Sequence, residues 1–183
     1  DSPVYDDHMC QILRQADDPD DRFIVGVSWL FPAGIENPPV SHQFCFMPGI
    51  DCDAEAVSVW QEIQAAAEGA YDRSERCGFT TFIGYEWTSM IRGNNMHRVV
   101  VYRDGGDKGG QMVPFTTVAP QGSINPRDLW QWLAGYEQKT GGKVLAIAHN
   151  GNLSNGMMFP LSEQHDGKQL DVDYVTQRAR WEP

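Results

Sequence analysis

Four stretches of the chain repeat apolar residues every three or four positions, a spacing typical of amphipathic helices. These stretches are residues 6–16, 54–71, 127–139 and 171–180. Asp51 or Asp53 is suited to cap the second stretch, and Asn125 followed by Pro126 is suited to begin the third. The sequence TGG provides a stop for that third helix. We therefore expect four helices, two of them long.

Three further stretches are rich in β-branched, aliphatic and aromatic residues and predict strands. They are FTTFIGYEWTS, which we expect to end near Trp87, then MHRVVVYR, and finally KVLAIA. The polar stretch SMIRGNN is expected to form a loop between the first two. The third strand is an uninterrupted apolar run, which is typical of a strand covered on both faces in a parallel sheet. Helices alternating with such strands indicate an α/β fold.

The segments between these elements indicate the domain organisation. A length of 183 residues fits a single domain over residues 1–183. Residues 23–50 contain many prolines and glycines and predict an irregular insertion or long loop. Residues 104–124 form a glycine-rich connection of unusual length, long enough to return the chain to the end of the sheet that it left.

The chain is strongly acidic, with 25 Asp and Glu residues against 14 Lys and Arg residues and a formal net charge of -11. This charge opposes binding to polyphosphate chains, so we expect no nucleic acid partner. No stretch approaches the roughly 20 apolar residues of a membrane span. We expect a small-molecule substrate as the partner.

The four cysteines show neither a C-x-x-C pair nor the spacing of a zinc knuckle, which argues against metal binding by thiolates. Cys45 and Cys52 flank a Pro-Gly turn in a loop-like segment, where a disulfide would stabilise the chain. Three possibilities remain open: this disulfide, a disulfide from either residue to Cys77, and free thiols. A disulfide favours a periplasmic or secreted location over a cytoplasmic one.

Three metal-ligand residue types fall where the predicted strands begin or end. Glu86 ends the first strand, His97 begins the second and His149 follows the third. A tight return between the first two strands, and a third strand parallel to the first, would bring all three side chains to one end of the sheet. A carboxylate and two imidazoles suit one or more Zn, Mn or Fe ions. The alternatives are an ion pair of Glu86 with Arg98 or Arg92, and a histidine bonded only to backbone.

Polar residues beside these positions are candidates for binding a substrate or orienting a ligand. Asn95, Asn150 and Asn152 offer amide groups that could bind a substrate oxygen, although asparagine is also a common turn residue. Arg98 could stabilise a developing oxyanion as a charged donor. Strand alternation, however, separates the side chain of Arg98 from that of His97.

The stretches FTTFIGYEWTS, GNNMHRVVVYR and AHNGNLSNGMMF together resemble an uncharacterised family, domain of unknown function 3604, of the polymerase and histidinol phosphatase (PHP) superfamily. The resemblance extends from about Phe44 to Pro183. It implies a distorted (β/α)7 barrel whose carboxyl-end loops hold two or three divalent metals. It also implies that Glu86, His97 and His149 are ligands, with the glutamate bridging two metals. The implied activity is that of a metal-dependent hydrolase, a phosphoesterase, in which a bridging hydroxide attacks the substrate.

The chain departs from the superfamily pattern because it lacks the early His-x-His pair and the late Asp-x-His. We therefore expect an internal piece of a longer protein, lacking the first and last strands of the barrel. A degenerate domain that has lost its metals is the alternative.

Two other classes of function fit some of the residues. A non-catalytic binding or scaffold domain would retain the fold and present tryptophans to a glycan or peptide; the candidates are Trp29, Trp87, Trp130 and Trp132. A cysteine hydrolase would use Cys77 with His149 and Asn152, but the glycine-rich motif and helix start expected after the nucleophile are missing.

Overall fold

A computed structural model describes residues 5–15, 19–23, 25–26 and 43–183. The helices are α1 (His8–Gln15), α2 (Cys52–Ala70), the short α3 (Gly106–Gly109), α4 (Pro126–Thr140) and α5 (Val172–Trp181), with a 3-10 turn at Gln43–Phe46. The strands are β1 (Gly84–Ile91), β2 (Asn94–Tyr102) and β3 (Val144–Ala148). Most of the insertion predicted at residues 23–50 lies outside the described residues.

The predicted helix ends are confirmed where the capping residues are local. Asp51 caps α2 by accepting a hydrogen bond from the Ala54 amide at 2.9 Å. Asn125 caps α4 through the Arg127 amide at 3.0 Å, and Gly141 ends that helix with a left-handed φ of 65°. Short-range chemistry therefore fixes where these helices start and stop.

The sheet is open, three-stranded and entirely antiparallel, in the order β1-β2-β3. It corrects the expectation of a parallel sheet, and the described residues form no barrel. The loop expected between the first two strands is only the pair Arg92-Gly93, whose φ values of 54° and 75° make a tight hairpin turn. β1 therefore continues to Ile91 instead of ending near Trp87. β3 runs in the direction of β1, as expected, but pairs with β2 between them.

One face of the sheet carries the hydrophobic core. Trp87 of β1, Val100 of β2 and Ala146 of β3 are buried there against Leu129 and Leu133 of α4. The next residue of β3, Ile147, points to the other face and is 47% exposed. β3 is therefore covered on one face, not on two as its apolar run predicts, and the part of the second face around Ile147 is accessible.

The disulfide hypothesis is confirmed for Cys45 and Cys52, whose sulfur atoms are bonded. The bond ties the 3-10 turn to the first residue of α2. Cys77 is an exposed free thiol, and its sulfur lies 3.7 Å from the Thr80 hydroxyl. Among the described residues, no helix combines the length and apolar character needed to cross a membrane.

Candidate metal centre

The strand register places Glu86, His97 and His149 on the same face of the sheet, opposite the core. His97 pairs with Thr88 of β1, and its carbonyl accepts a hydrogen bond from the His149 amide at 3.1 Å. Glu86 pairs with Val99, two residues further along β2. Because side chains two residues apart in a strand share a face, all three ligand-type groups point to the second face.

The three side chains are neighbours on this face, although ligand atoms from all three do not lie within 4.8 Å of one another. A carboxylate oxygen of Glu86 lies 2.5 Å from His97 Nδ1, and the Thr88 hydroxyl lies 3.2 Å from both groups. The rings of His97 and His149 have centroids 5.2 Å apart. The cluster sits within the open face and not at the end of the sheet, because the hairpin extends both strands beyond the positions where the sequence suggested that they stop.

Two imidazole nitrogens in this cluster are unpartnered. Within the described part of the chain, His97 Nε2 and His149 Nδ1 are buried and make no hydrogen bond. Buried polar atoms are ordinarily satisfied, because leaving one unpaired costs about 1–3 kcal/mol. The Glu86 carboxylate beside Nδ1 favours a proton on that atom, which leaves a lone pair on His97 Nε2. His97 thus presents a ring nitrogen in the state that a metal ion requires, and His149 offers a second nitrogen that has no partner among the described residues.

The predicted asparagines divide into two groups. Asn95 lies in β2 on the same face as His97, is buried, and donates from its side chain to the Asn152 carbonyl at 3.4 Å. Its side-chain oxygen has no partner among the described residues. Asn150 instead accepts a hydrogen bond from the Asn152 amide at 3.0 Å, which forms the turn after β3. Asn95 is therefore part of the site, whereas Asn150 and Asn152 are exposed turn residues beside it.

Arg98 lies on the core face, not with the other predicted site residues. Its Nε atom is 2.8 Å from a Glu182 carboxylate oxygen, and the side chains of Arg98 and Glu182 are 0% and 2% exposed. Its Nη1 atom donates a hydrogen bond to the His97 carbonyl at 2.9 Å, and this contact supports β2 from the core face. The geometry therefore gives no support to the oxyanion role. The alternative pairing of Glu86 with Arg98 is also wrong, since Glu86 pairs with His97.

A second group of ligand-type residues, missed by the sequence analysis, lies between β3 and α5. Potential ligand atoms of Glu163, His165 and Asp166 are within 4.8 Å of one another. The compact motif EQHD was the available signal. Here, however, Arg127 binds Glu163 at 2.8 Å and Lys168 binds Asp166 at 2.5 Å. Both carboxylates already have cationic partners, which a metal ion would have to displace.

Ion pairing at this second group also shifts proton affinities. The hydrogen bond from Lys168 holds the pKa of Asp166 below its usual value, and the hydrogen bond to Glu163 raises the pKa of Arg127. Each shift favours the charged form of its group. The second group therefore behaves as an ion-pair network that joins the start of α4 to the loop before α5.

The tryptophans named for a binding surface are mostly part of the core. Trp87 and Trp130 are buried, and Trp29 lies outside the described residues. Trp132 stacks near Phe115 with centroids 6.3 Å apart and lines a half-open groove beside α4. A continuous aromatic surface is therefore not present in the described part of the molecule.

Fold and site together define a mixed α/β protein with a carboxylate-imidazole cluster on the open face of a small antiparallel sheet. The chain belongs to the family described as a protein of unknown function, DUF3604, which matches residues 26–183. No curated protein and no solved structure matches the chain.

Proposed function

We propose that this protein is a divalent-metal-dependent hydrolase of phosphoesters, with its metal site at Glu86, His97 and His149. One observation carries the proposal: two neighbouring histidines on the same sheet face each have a buried ring nitrogen without a hydrogen-bond partner among the described residues, and one of them pairs with Glu86. The likeness of the surrounding strand motifs to PHP enzymes supports a phosphoester as the substrate.

The donor set fits a borderline divalent cation such as Zn, Mn or Fe. When bound, such an ion supplies a Lewis acid and lowers the pKa of coordinated water. His97 and His149 would hold it through nitrogen. Glu86 keeps the proton on His97 Nδ1, and the Thr88 hydroxyl at 3.2 Å fixes the carboxylate and ring together. The unpartnered oxygen of Asn95 offers an acceptor for water or for a substrate hydroxyl.

Metal titration tests the site directly. Calorimetry with Zn²⁺ and Mn²⁺, together with metal analysis after gel filtration, should show binding to the wild-type chain. His97→Gln and His149→Gln should each weaken binding roughly 100-fold, because each removes a ligand nitrogen. His165→Gln is the matched control, since it removes an imidazole from the ion-pair network and should change affinity less than about twofold.

Equal losses in the His97 and His165 variants would place the metal elsewhere. Loss in His165→Gln alone would assign it to the second group and overturn the proposal. Hydrolysis of a generic phosphodiester, followed with and without added metal, tests the reaction. Turnover that persists in chelator would exclude the metal-dependent mechanism.

A further inference from the structure

The face that carries the metal cluster continues into an apolar surface. We define this apolar shelf as Val99, Val101, Leu145 and Ile147. The register runs Glu86, Val99 and Ile147 across the three strands in one row, with Val101 and Leu145 in the next row. Ile147 is half exposed and the other three are partly exposed. The shelf therefore begins at the carboxylate and extends away from the histidines.

Gly84 keeps this shelf open on the side of β1. It pairs with Val101, in the row after Glu86, and carries no side chain there. A Cβ atom at this position would lie 2.7 Å from the Val100 carbonyl oxygen, so close packing of the two strands excludes any larger residue. Gly84 therefore adds no side chain to the row after Glu86, and the residues that it adjoins in that row are apolar.

The cluster is not ion-paired with any Lys or Arg of the described residues. No ion pair in the described part of the chain brings a Lys or Arg side chain to Glu86, His97 or His149, and the segments outside it contain neither residue type. Arg98 faces the core, where it is paired with Glu182. Arg103 lies six residues beyond His97, about 20 Å along the strand. A bound anion would therefore depend on the metal for charge compensation.

We propose, on the basis of the function proposed above, that the substrate is a phosphodiester whose apolar ester group lies on the apolar shelf. One divalent cation beside the Glu86 carboxylate leaves a single net positive charge. A phosphodiester carries one negative charge and matches it. A phosphate monoester carries nearly two at neutral pH, and no arginine or lysine of the described residues is paired with the cluster to balance the second. The apolar ester group would bury part of its surface against the shelf, and this burial would favour binding.

Binding of slowly hydrolysed probes tests this choice without relying on turnover. Calorimetry on the Zn²⁺-loaded chain should compare diphenyl phosphate, dimethyl phosphate and phenyl phosphate. Diphenyl phosphate should bind about tenfold more tightly than dimethyl phosphate, because its rings bury apolar area. It should also bind more tightly than phenyl phosphate, which carries the extra charge.

The double variant Val101→Thr/Ile147→Thr removes apolar surface but keeps the β-branched shape that suits strands. It should reduce the advantage of diphenyl over dimethyl phosphate at least threefold and leave dimethyl phosphate binding unchanged. Val59→Thr, at an exposed position of α2, is the control and should alter neither. Thermal unfolding of all variants shows whether the fold is retained.

Equal or tighter binding of phenyl phosphate, or unchanged selectivity in a folded double variant, would overturn the substrate proposal while leaving the metal site intact. Sedimentation that shows a dimer in the wild type and a monomer in the double variant, without probe selectivity, would assign the shelf to a contact between copies and also overturn it. Failure of the wild-type chain to bind metal would instead overturn the proposed function and this inference together.

Discussion

His97 and Arg98 are neighbours in β2, yet they lie in opposite chemical environments. Arg98 points into the core. There its guanidinium forms an ion pair with Glu182 and donates hydrogen bonds to the Met158 sulfur and the His97 carbonyl. His97 points to the open face, where Glu86 and Thr88 engage one ring nitrogen and the other is unpartnered among the described residues. Arg98 is ion-paired within the chain, whereas His97 Nε2 has no hydrogen-bond partner among the described residues.

This difference indicates where an external ligand belongs. A buried charge that the chain satisfies by itself is a structural group, since its partners are fixed on folding. A buried nitrogen without a partner is costly unless something outside the chain binds it. The Glu163 group also contains an unpartnered ring nitrogen, His165 Nδ1, and differs from the Glu86 cluster in that its carboxylates already bind Arg127 and Lys168.

The largest expected effect lies on the core face. Glu182→Ala should lower the free energy of unfolding by about 3–5 kcal/mol, because it leaves the guanidinium of Arg98 buried without its carboxylate. Chemical denaturation measures this change. Lys143→Ala is the control, because Lys143 is exposed in its ion pair with Glu137 and the pair should contribute less than about 1 kcal/mol. Similar small losses of unfolding free energy in both variants would show that the burial of Arg98 does not require the Glu182 carboxylate.

Glu86→Gln should act on ligand binding and hardly at all on folding. An amide is a weaker acceptor for the His97 Nδ1 proton, so Zn²⁺ affinity should fall about 10- to 100-fold with the number of bound ions unchanged. Calorimetry gives both values. A fall in the number of ions would show that Glu86 bridges two metals, as the resemblance to PHP enzymes implies, instead of orienting one histidine.

The hairpin turn should contribute a smaller amount to stability. Gly93→Ala should cost about 1 kcal/mol, since φ of 75° is strained for a residue with a Cβ atom although no atom would clash with it. Arg92→Gly is the matched change at the other turn position, where φ is 54°, and should not destabilise the chain. Thermal unfolding measures the stability of both variants, and an equal loss of stability in the two would argue against this turn geometry.

The smallest expected effect is a pH dependence in the ion-pair network. The hydrogen bond from Arg127 holds the pKa of Asp171 below its usual value of 3.8, so the carboxylate stabilises the folded state above that pH. This stabilisation should disappear as pH falls from 3.8 through the lower folded pKa. Asp171→Asn keeps a capping side chain for α5 but removes the charge, so its melting temperature should fall below wild type at neutral pH and converge with it in acid. A difference in melting temperature that stays constant with pH would contradict this coupling between Asp171 ionisation and stability.

The sequence predicted the parts of the fold that short-range chemistry determines. Asp51 and Asn125 act as caps because a side chain there reaches an amide two or three residues away. Strand pairing depends on contacts distant in sequence, and the apolar run of β3 suits either a parallel or an antiparallel neighbour. The hairpin was missed because Arg92 is an unusual residue for a left-handed turn position.

The candidate site was predictable in its members but not in its place. Glu86, His97 and His149 were named from residue type and position, and alternation correctly separated Arg98 from His97. Because β1 was predicted to end too early, the site was predicted to lie at the end of the sheet. The Glu163 group could not be judged from sequence, because its character depends on Arg127, 36 residues away in the chain.

The opposite environments of His97 and Arg98 also make β2 intolerant of a shift in its alignment. A one-residue slip would turn every side chain of the strand to the other face, placing the guanidinium over the apolar shelf and the imidazole against the core aromatics. Both placements are costly, so misaligned chains should be rare during folding. Insertions or deletions within residues 94–98 should therefore be far less tolerated than changes of length at the exposed turn around Gly167, which is far from both residues in sequence.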